Sequence, residues 1–408
     1  MRHLGALALA ACLLFLSGCQ RTAAPRTEAE DALRTTEGAL ATSNLDALVQ
    51  AREAAIARDE RFAAERAVLV DLLQTRGQLF GRLADYDTAE TIADAAVEKA
   101  PHLPESWLAR ASSRLTLHRF DEALLDLDEA KRRGAEPDAL EALRASVLLA
   151  EGHTDEALPL RRHAVQRWAS TSNLTALAVA EVAAGEVALA KQHLDAATRA
   201  FHDVAPFPIV FIAFQRGLLA EEAGNFDGAA ARYRAVLQRL PRHVQATVHL
   251  AAIELARGRP EAAADVLAPL GALPDPEVMA LRADVLERQG HPADAETLRE
   301  AVEARYRTLV ARHPQAFADH AARFLLFRDA PSALALARLN LQVRSTPQAF
   351  ELALSAAHAA GDEGLRCRLS ADARRVPHPT RRLEALVKAG LEGCAPATLP
   401  AVAGGLSR

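Results

Sequence analysis

The stretch WLARASSRLTLHRFDEALLDLDEAKRRGAEP, residues 107 to 137, decides the fold. Trp107-Leu108-Ala109-Arg110-Ala111 opens one periodic run. Ala123, Leu127 and Ala130 then stand on one face of a second, at the i, i+4, i+7 spacing of an α-helix. Pro137 marks the boundary with the next unit. Ala123 belongs to a series: Ala89, Ala123, Ala157, Ala190, Ala229, Ala263, Ala295 and Ala333 succeed one another at steps of 34, 34, 33, 39, 34, 32 and 38 residues. Self-similarity at such a period means a stack of one small supersecondary unit, not a closed globular domain.

The surroundings of each alanine keep the same phase. Glycine sits five residues earlier in several copies (Gly152, Gly185, Gly224, Gly258, Gly290), and apolar or small residues come after it, as in Ala93 and Ala96 or Leu194 and Ala197. Pro101, Pro137, Pro241, Pro276, Pro314 and Pro347 stand at unit boundaries, where proline opens a helix or comes just after its end. Each unit therefore reads as helix, tight turn at glycine, helix, short connector. Alanine is the small residue that lets two antiparallel helices cross closely. Glycine adopts the positive φ of a sharp reversal.

These units resemble the tetratricopeptide repeat (TPR). Trp107, Ala111 and Ala123 match one copy; Gly77, Phe80, Ala89, Ala96 and Pro101 match another; Gly217, Ala229, Tyr233 and Pro241 match a third. The resemblance spans roughly residues 70 to 345 and implies an all-α fold, an α-solenoid of about eight to nine antiparallel helix pairs. Two departures leave the curvature open. The 39-residue step contains an insertion at residues 201–208, and the 38-residue step extends a helix through Glu303-Ala304-Arg305-Tyr306.

The N-terminus carries an address. Met1-Arg2-His3 is a short basic start, succeeded by an apolar run from Leu4 to Leu16, too short to span a bilayer as a mature helix. Leu16-Ser17-Gly18-Cys19 resembles the lipobox of bacterial lipoproteins, which are cut before the cysteine and acylated on its thiol. The resemblance implies lipidation (palmitate or a similar acyl chain) at Cys19, and Gln20 in place of Asp favours the outer membrane, facing the periplasm. The expected division is a signal peptide at 1–18, a lipid-anchored tether at 19–29, the solenoid at 30–393 and a tail at 394–408.

Half of the 408 residues are hydrophobic and a quarter charged, ample for a folded body, and the formal net charge of −5 gives no bias toward nucleic acid. With Cys12 in the signal and Cys19 lipidated, Cys367 and Cys394 remain, 27 residues apart. In an oxidising periplasm they either bond or stay separate thiols. No zinc-binding helix, nucleophile elbow, phosphate loop or Cys-x-x-Cys pair occurs, so no catalytic, cofactor or metal residue is assigned. His313 and His320 could share a helical face. Clustered carboxylates such as Asp126 and Asp128 read as solvated helix positions.

What remains is recognition. In the resembling family, ligands lie in the concave groove lined by the first helix of each unit. Phe211 and Phe214, three apart, are the candidate partner anchors, with Glu221 and Glu222 beyond them; the alternative is that both aromatics are core. The expected function is a lipid-anchored periplasmic scaffold for protein partners of the bacterial envelope, serving a pilus, secretion, outer-membrane protein or polysaccharide-export machine. No enzyme activity, nucleic acid, small-molecule substrate or cofactor is expected. The alternatives are an adaptor regulating peptidoglycan synthases or hydrolases and, third, a hydrolase of unrecognised type.

Overall fold

The computed structural model describes residues 33–58, 63–392 and 394. The expected signal peptide, the expected tether and most of the expected tail lie outside the described residues. Met1–Arg34 and Thr35–Arg408 are two units, and the helical array lies in the second. Its described residues form twenty α-helices and one 3₁₀ turn, with no strand. After α1 (Gly38–Arg58) come nine hairpins: α2 (Ala63–Phe80) with α3 (Ala84–Lys99), α4 (Pro104–Thr116) with α5 (Phe120–Arg132), and α6 (Pro137–Glu151) with α7 (Thr154–Arg167). Next are α8 (Thr171–Ala183) with α9 (Val187–Arg199), α10 (Phe207–Glu222) with α11 (Phe226–Arg239), and α12 (Val244–Ala256) with α13 (Pro260–Leu267). The last three are α14 (Pro276–Arg288) with α15 (Pro292–Arg312), α16 (Pro314–Leu325) with α17 (Ala330–Val343), and α18 (Pro347–Ala359) with α19 (Glu363–Ala373), and α20 (Arg381–Glu392) closes the array.

All eight series alanines lie on the second helix of a hairpin, and none exceeds 1% exposure. A longer side chain there would separate the crossing helices. The five series glycines all have φ between +71° and +102°, in the turn between the helices of their pair. The same position before Ala123 holds His118, with φ +57°, a region that costs a non-glycine residue roughly 1–3 kcal/mol. Prolines occupy the first turn of α4, α6, α14, α16 and α18, where no intrahelical partner for the missing N–H is needed. Residues 201–206 of the insertion form a non-helical connector between α9 and α10 that buries Phe201, its last two residues open α10, and α15 is extended to 21 residues.

Buried ion pairs tie neighbouring helices. Asp126, 1% exposed, accepts from Arg110 Nε and Nη2 at 3.0 and 2.8 Å and from Arg114 Nη1 at 2.6 Å. This corrects its reading as a solvated carboxylate: the sequence shows its helix but not the two guanidiniums that α4 aims at it. Glu254 is likewise buried, between Arg234 and Arg259, both at 2.6 Å.

The array also winds back on itself. In an alternating stack, turns within hairpins lie along one edge and connectors between hairpins along the other. The turn edge of the first three hairpins meets the connector edge of later ones. His118 Nδ1 lies 3.0 Å from Gln315 O, Asp87 Oδ1 2.7 Å from His313 Nε2, and Asp155 Oδ1 2.9 Å from His378 Nε2. Arg344 Nε donates to Ala150 O at 3.2 Å and Ser345 N to Glu151 O at 2.7 Å. Of these contacts, those through side chains join residues 194 to 226 apart in sequence. At the N-terminal end the contact is apolar: Leu45, Leu79 and Phe80 share one core with residues of α10, α11 and α12. Successive windings of the ribbon are therefore seamed together. At the other end, Cys367 and Cys394 are bonded, with Cα atoms 5.8 Å apart, so the first residue of the expected tail is stapled to α19.

Candidate partner-binding groove

First helices α6, α8 and α10 line a cavity of about 610 Å³. Its apolar wall comes from Leu149, Ala150, Ala176, Val179, Pro208 and Phe211, its hydroxyls from Ser146, Thr171, Ser172 and Thr175, and two guanidiniums from Arg161 and Arg344. The local chemistry is set by helix rules. Ser170 caps α8 by accepting from Asn173 N at 3.2 Å, and Thr175 Oγ1 donates back to Thr171 O at 2.7 Å. No carboxylate is among the lining residues.

The two aromatic candidates part company. Phe211 is half-buried and lines the groove. Phe214, 9% exposed, belongs to the core, with ring centroids 5.7 Å from Tyr233, 5.4 Å from His243 and 5.6 Å from His249. The expectation that both face a partner is thus corrected for Phe214, because the chain's own α1 and α2 complete the apolar cluster that holds it. Glu221 is also turned to internal use. Its Oε2 accepts from Tyr233 Oη at 2.7 Å and lies 2.9 Å from His249 Nδ1. Burial pushes its carboxyl up, but hydrogen bonds from His249 and Tyr233 outweigh this and hold it below the ordinary value. Glu222 is exposed.

Arg161 and Arg344 are the groove residues that the repeat pattern did not single out. Arg161 lies four residues after Ala157, where other units carry Ala93, Leu127, Leu194 and Leu267. A cation at an apolar repeat position is a legible signal. Arg344 gives none, because it reaches the groove across the winding seam.

A second, smaller cavity of about 190 Å³ lies in the seam itself, lined by Tyr86, His118, Asp275, Glu277, Tyr306 and His320 among others. Burial raises the Asp275 carboxyl to about 6, with the charge of Glu277 adding to it. Burial would also raise Glu277, yet the hydrogen bond from His320, 2.7 Å away, and its charge bring that group down to about 2. His313 is spent on Asp87 and His320 on Glu277, and no cluster of three metal-binding side chains occurs among the described residues.

The groove is thus built on stacked helical hairpins, and sequence comparison agrees with that architecture. Residues 75–139 and 214–275 match the tetratricopeptide repeat family. These two stretches are tetratricopeptide repeats. Helical hairpins of the same build, carrying the same series of buried alanines, extend beyond the matched stretches. No curated protein sequence matches the chain. Among solved structures, human IFIT1, in a dimer with PPP-AAAA, is 16% identical over 81% of this chain and 72% of its own, with a TM-score of 0.48. Yeast Tom70 is 12% identical over 85% of this chain and 92% of its own, at 0.37. A TPR protein from Parabacteroides merdae is 17% identical over 71% of this chain and 98% of its own, at 0.36. TPR arrays are scaffolds for protein–protein interaction, and their stacked units present an extended binding surface.

Proposed function

We propose that this TPR protein is a lipid-anchored scaffold on the periplasmic face of the outer membrane, holding a segment of a partner protein so that an envelope machine can assemble. The observation that carries the binding half is the groove between α6, α8 and α10, with the half-buried Phe211 as its aromatic anchor. The address rests on Leu16-Ser17-Gly18-Cys19. The Cys367–Cys394 bond supports it, since disulfides persist in oxidising compartments. Several acyl chains on Cys19, at ~0.8 kcal/mol per buried CH₂, would hold the protein firmly at the bilayer. No catalytic role is assigned to any residue.

Two measurements test this reading. Cys19→Ser should leave a precursor or an unanchored product; normal acylation and outer-membrane fractionation of the variant would refute the address. Phe211→Ala should leave thermal melting unchanged while crosslinked partner recovery from envelope falls. Truncating a central anchor costs ≥ ~2 kcal/mol of binding, roughly thirtyfold in affinity. Undiminished recovery would remove the groove from the function.

A further inference from the structure

One other TPR unit places arginine at the fourth position after its series alanine, and that unit also supplies the counter-charge. Arg299, four after Ala295, reaches Asp284 at 2.9 Å and pairs with Glu287 as well. The half-buried arginines of α4, Arg110 and Arg114, share the buried Asp126. Arg161 is the exception. It is 9% exposed, its Nη2 donates to Ser146 Oγ at 2.5 Å, and its Nε is buried with no hydrogen-bond partner. Among the described residues no carboxylate pairs with it, and burial alone depresses its guanidinium, with no neighbouring charge to offset the effect. A buried cation without a counter-charge is destabilising, and an incoming anion would complete it.

Arg344 stands on the same cavity from the other side of the seam. Its Nε is held by Ala150 O at 3.2 Å, while Nη1 is 3.9 Å from Asp319 Oδ2, too far for a strong pair. Burial lowers its guanidinium despite the attraction of Asp319. Two guanidiniums beside the apolar wall of Leu149, Val179 and Phe211 form a mixed surface. A nucleic-acid strand would need a row of cations and several stacking rings, and the groove offers one aromatic. A carboxylate suits a guanidinium fork geometrically.

We propose that the groove takes an acidic peptide segment of the partner, one carboxylate seated on Arg161 and within reach of Arg344, with apolar side chains against Phe211 and Val179. The proposal rests on the groove being the partner site and names what that site selects. Because Arg344 comes from the later winding, the bound segment touches both windings and holds the seam closed over itself.

The probe is a fluorescein-labelled decapeptide of alternating Glu and Leu, set against its Gln-for-Glu counterpart, titrated onto the full-length protein in detergent and read by fluorescence anisotropy. The acidic peptide should bind at least tenfold tighter, and Arg161→Met should abolish the difference. Arg161→Met should also melt at or above the wild-type temperature, since Ser146 Oγ keeps its bond to Ala142 O and an uncompensated cation is gone. Equal binding of both peptides, an undiminished preference in Arg161→Met, or early melting of that variant would each overturn the proposal. So would a single-stranded RNA oligonucleotide that binds through Arg161 when the acidic peptide does not. If Phe211→Ala abolishes native partner capture while Arg161→Met leaves it intact, the groove stands and the carboxylate assignment falls. If neither variant matters, both fall.

Discussion

A Cβ on Gly217 would collide with the ring of Tyr233, which is fully buried between α10 and α11. The ring has no retreat, because its hydroxyl is bonded to Glu221 and its face packs near Phe214 and His249. Gly217→Ala should therefore destabilise, by ~1–3 kcal/mol as for an overpacked core, even though alanine is the better helix former. A circular-dichroism melt of the variant equal to or higher than wild type would show that the ring can move. Several single residues are legible in the chain alone. The series alanines and glycines have to be small or left-handed whatever surrounds them. Asp126, Glu221 and Phe214 are not legible in this way, for one common reason: each is defined by a partner on another helix, and periodicity carries no information about that partner.

Helix α12 is capped by the residue just before it, His243, whose Nδ1 accepts from Ala246 N at 3.1 Å in place of the usual hydroxyl or carboxylate cap. The cap works only while Nδ1 is unprotonated. Burial, assisted by the charge of His249, lowers this imidazole to about 4, and it packs against Phe214. A folded value below the unfolded 6.5 means that stability is full above 6.5 and is lost as pH falls toward 4, by about 3 kcal/mol at one site. Hydrogen exchange at α12 amides should accelerate over that window. His243→Ser, which keeps a cap but does not titrate there, should flatten the dependence at α12. An unchanged profile in the variant would place the acid sensitivity elsewhere. Helix boundaries are largely legible, since proline and glycine mark them in the chain itself. The turn before Ala123 is not, because His118 replaces the glycine and is held at φ +57° by Gln315 O and by stacking on Phe120 at 5.4 Å.

At the scale of the whole array, the seam changes how stability is shared. A solenoid whose units touch only their neighbours opens in independent blocks. Here hairpins near the start are also tied to connectors near the end, so early and late units should unfold together more than a simple stack would. None of this is visible in the repeat, because edge contacts between windings have no period and involve unrelated residue types: Asp87 with His313, Asp155 with His378, Glu151 with Ser345. Two glycines separate the local from the global effect. Gly152 and Gly185 hold the same turn position, at φ +102° and +73°, and alanine at either costs roughly 1–2 kcal/mol of backbone strain. A Cβ on Gly185 meets nothing within 4 Å, whereas one on Gly152 would stand 2.9 Å from the backbone of Ser345 on the next winding. Gly185→Ala should lower the melting temperature while leaving one transition. Gly152→Ala should in addition part the windings, splitting the transition and raising hydrogen exchange around residues 344–346 as well as at its own turn. Indistinguishable behaviour of the two variants would mean that the seam carries no cooperativity.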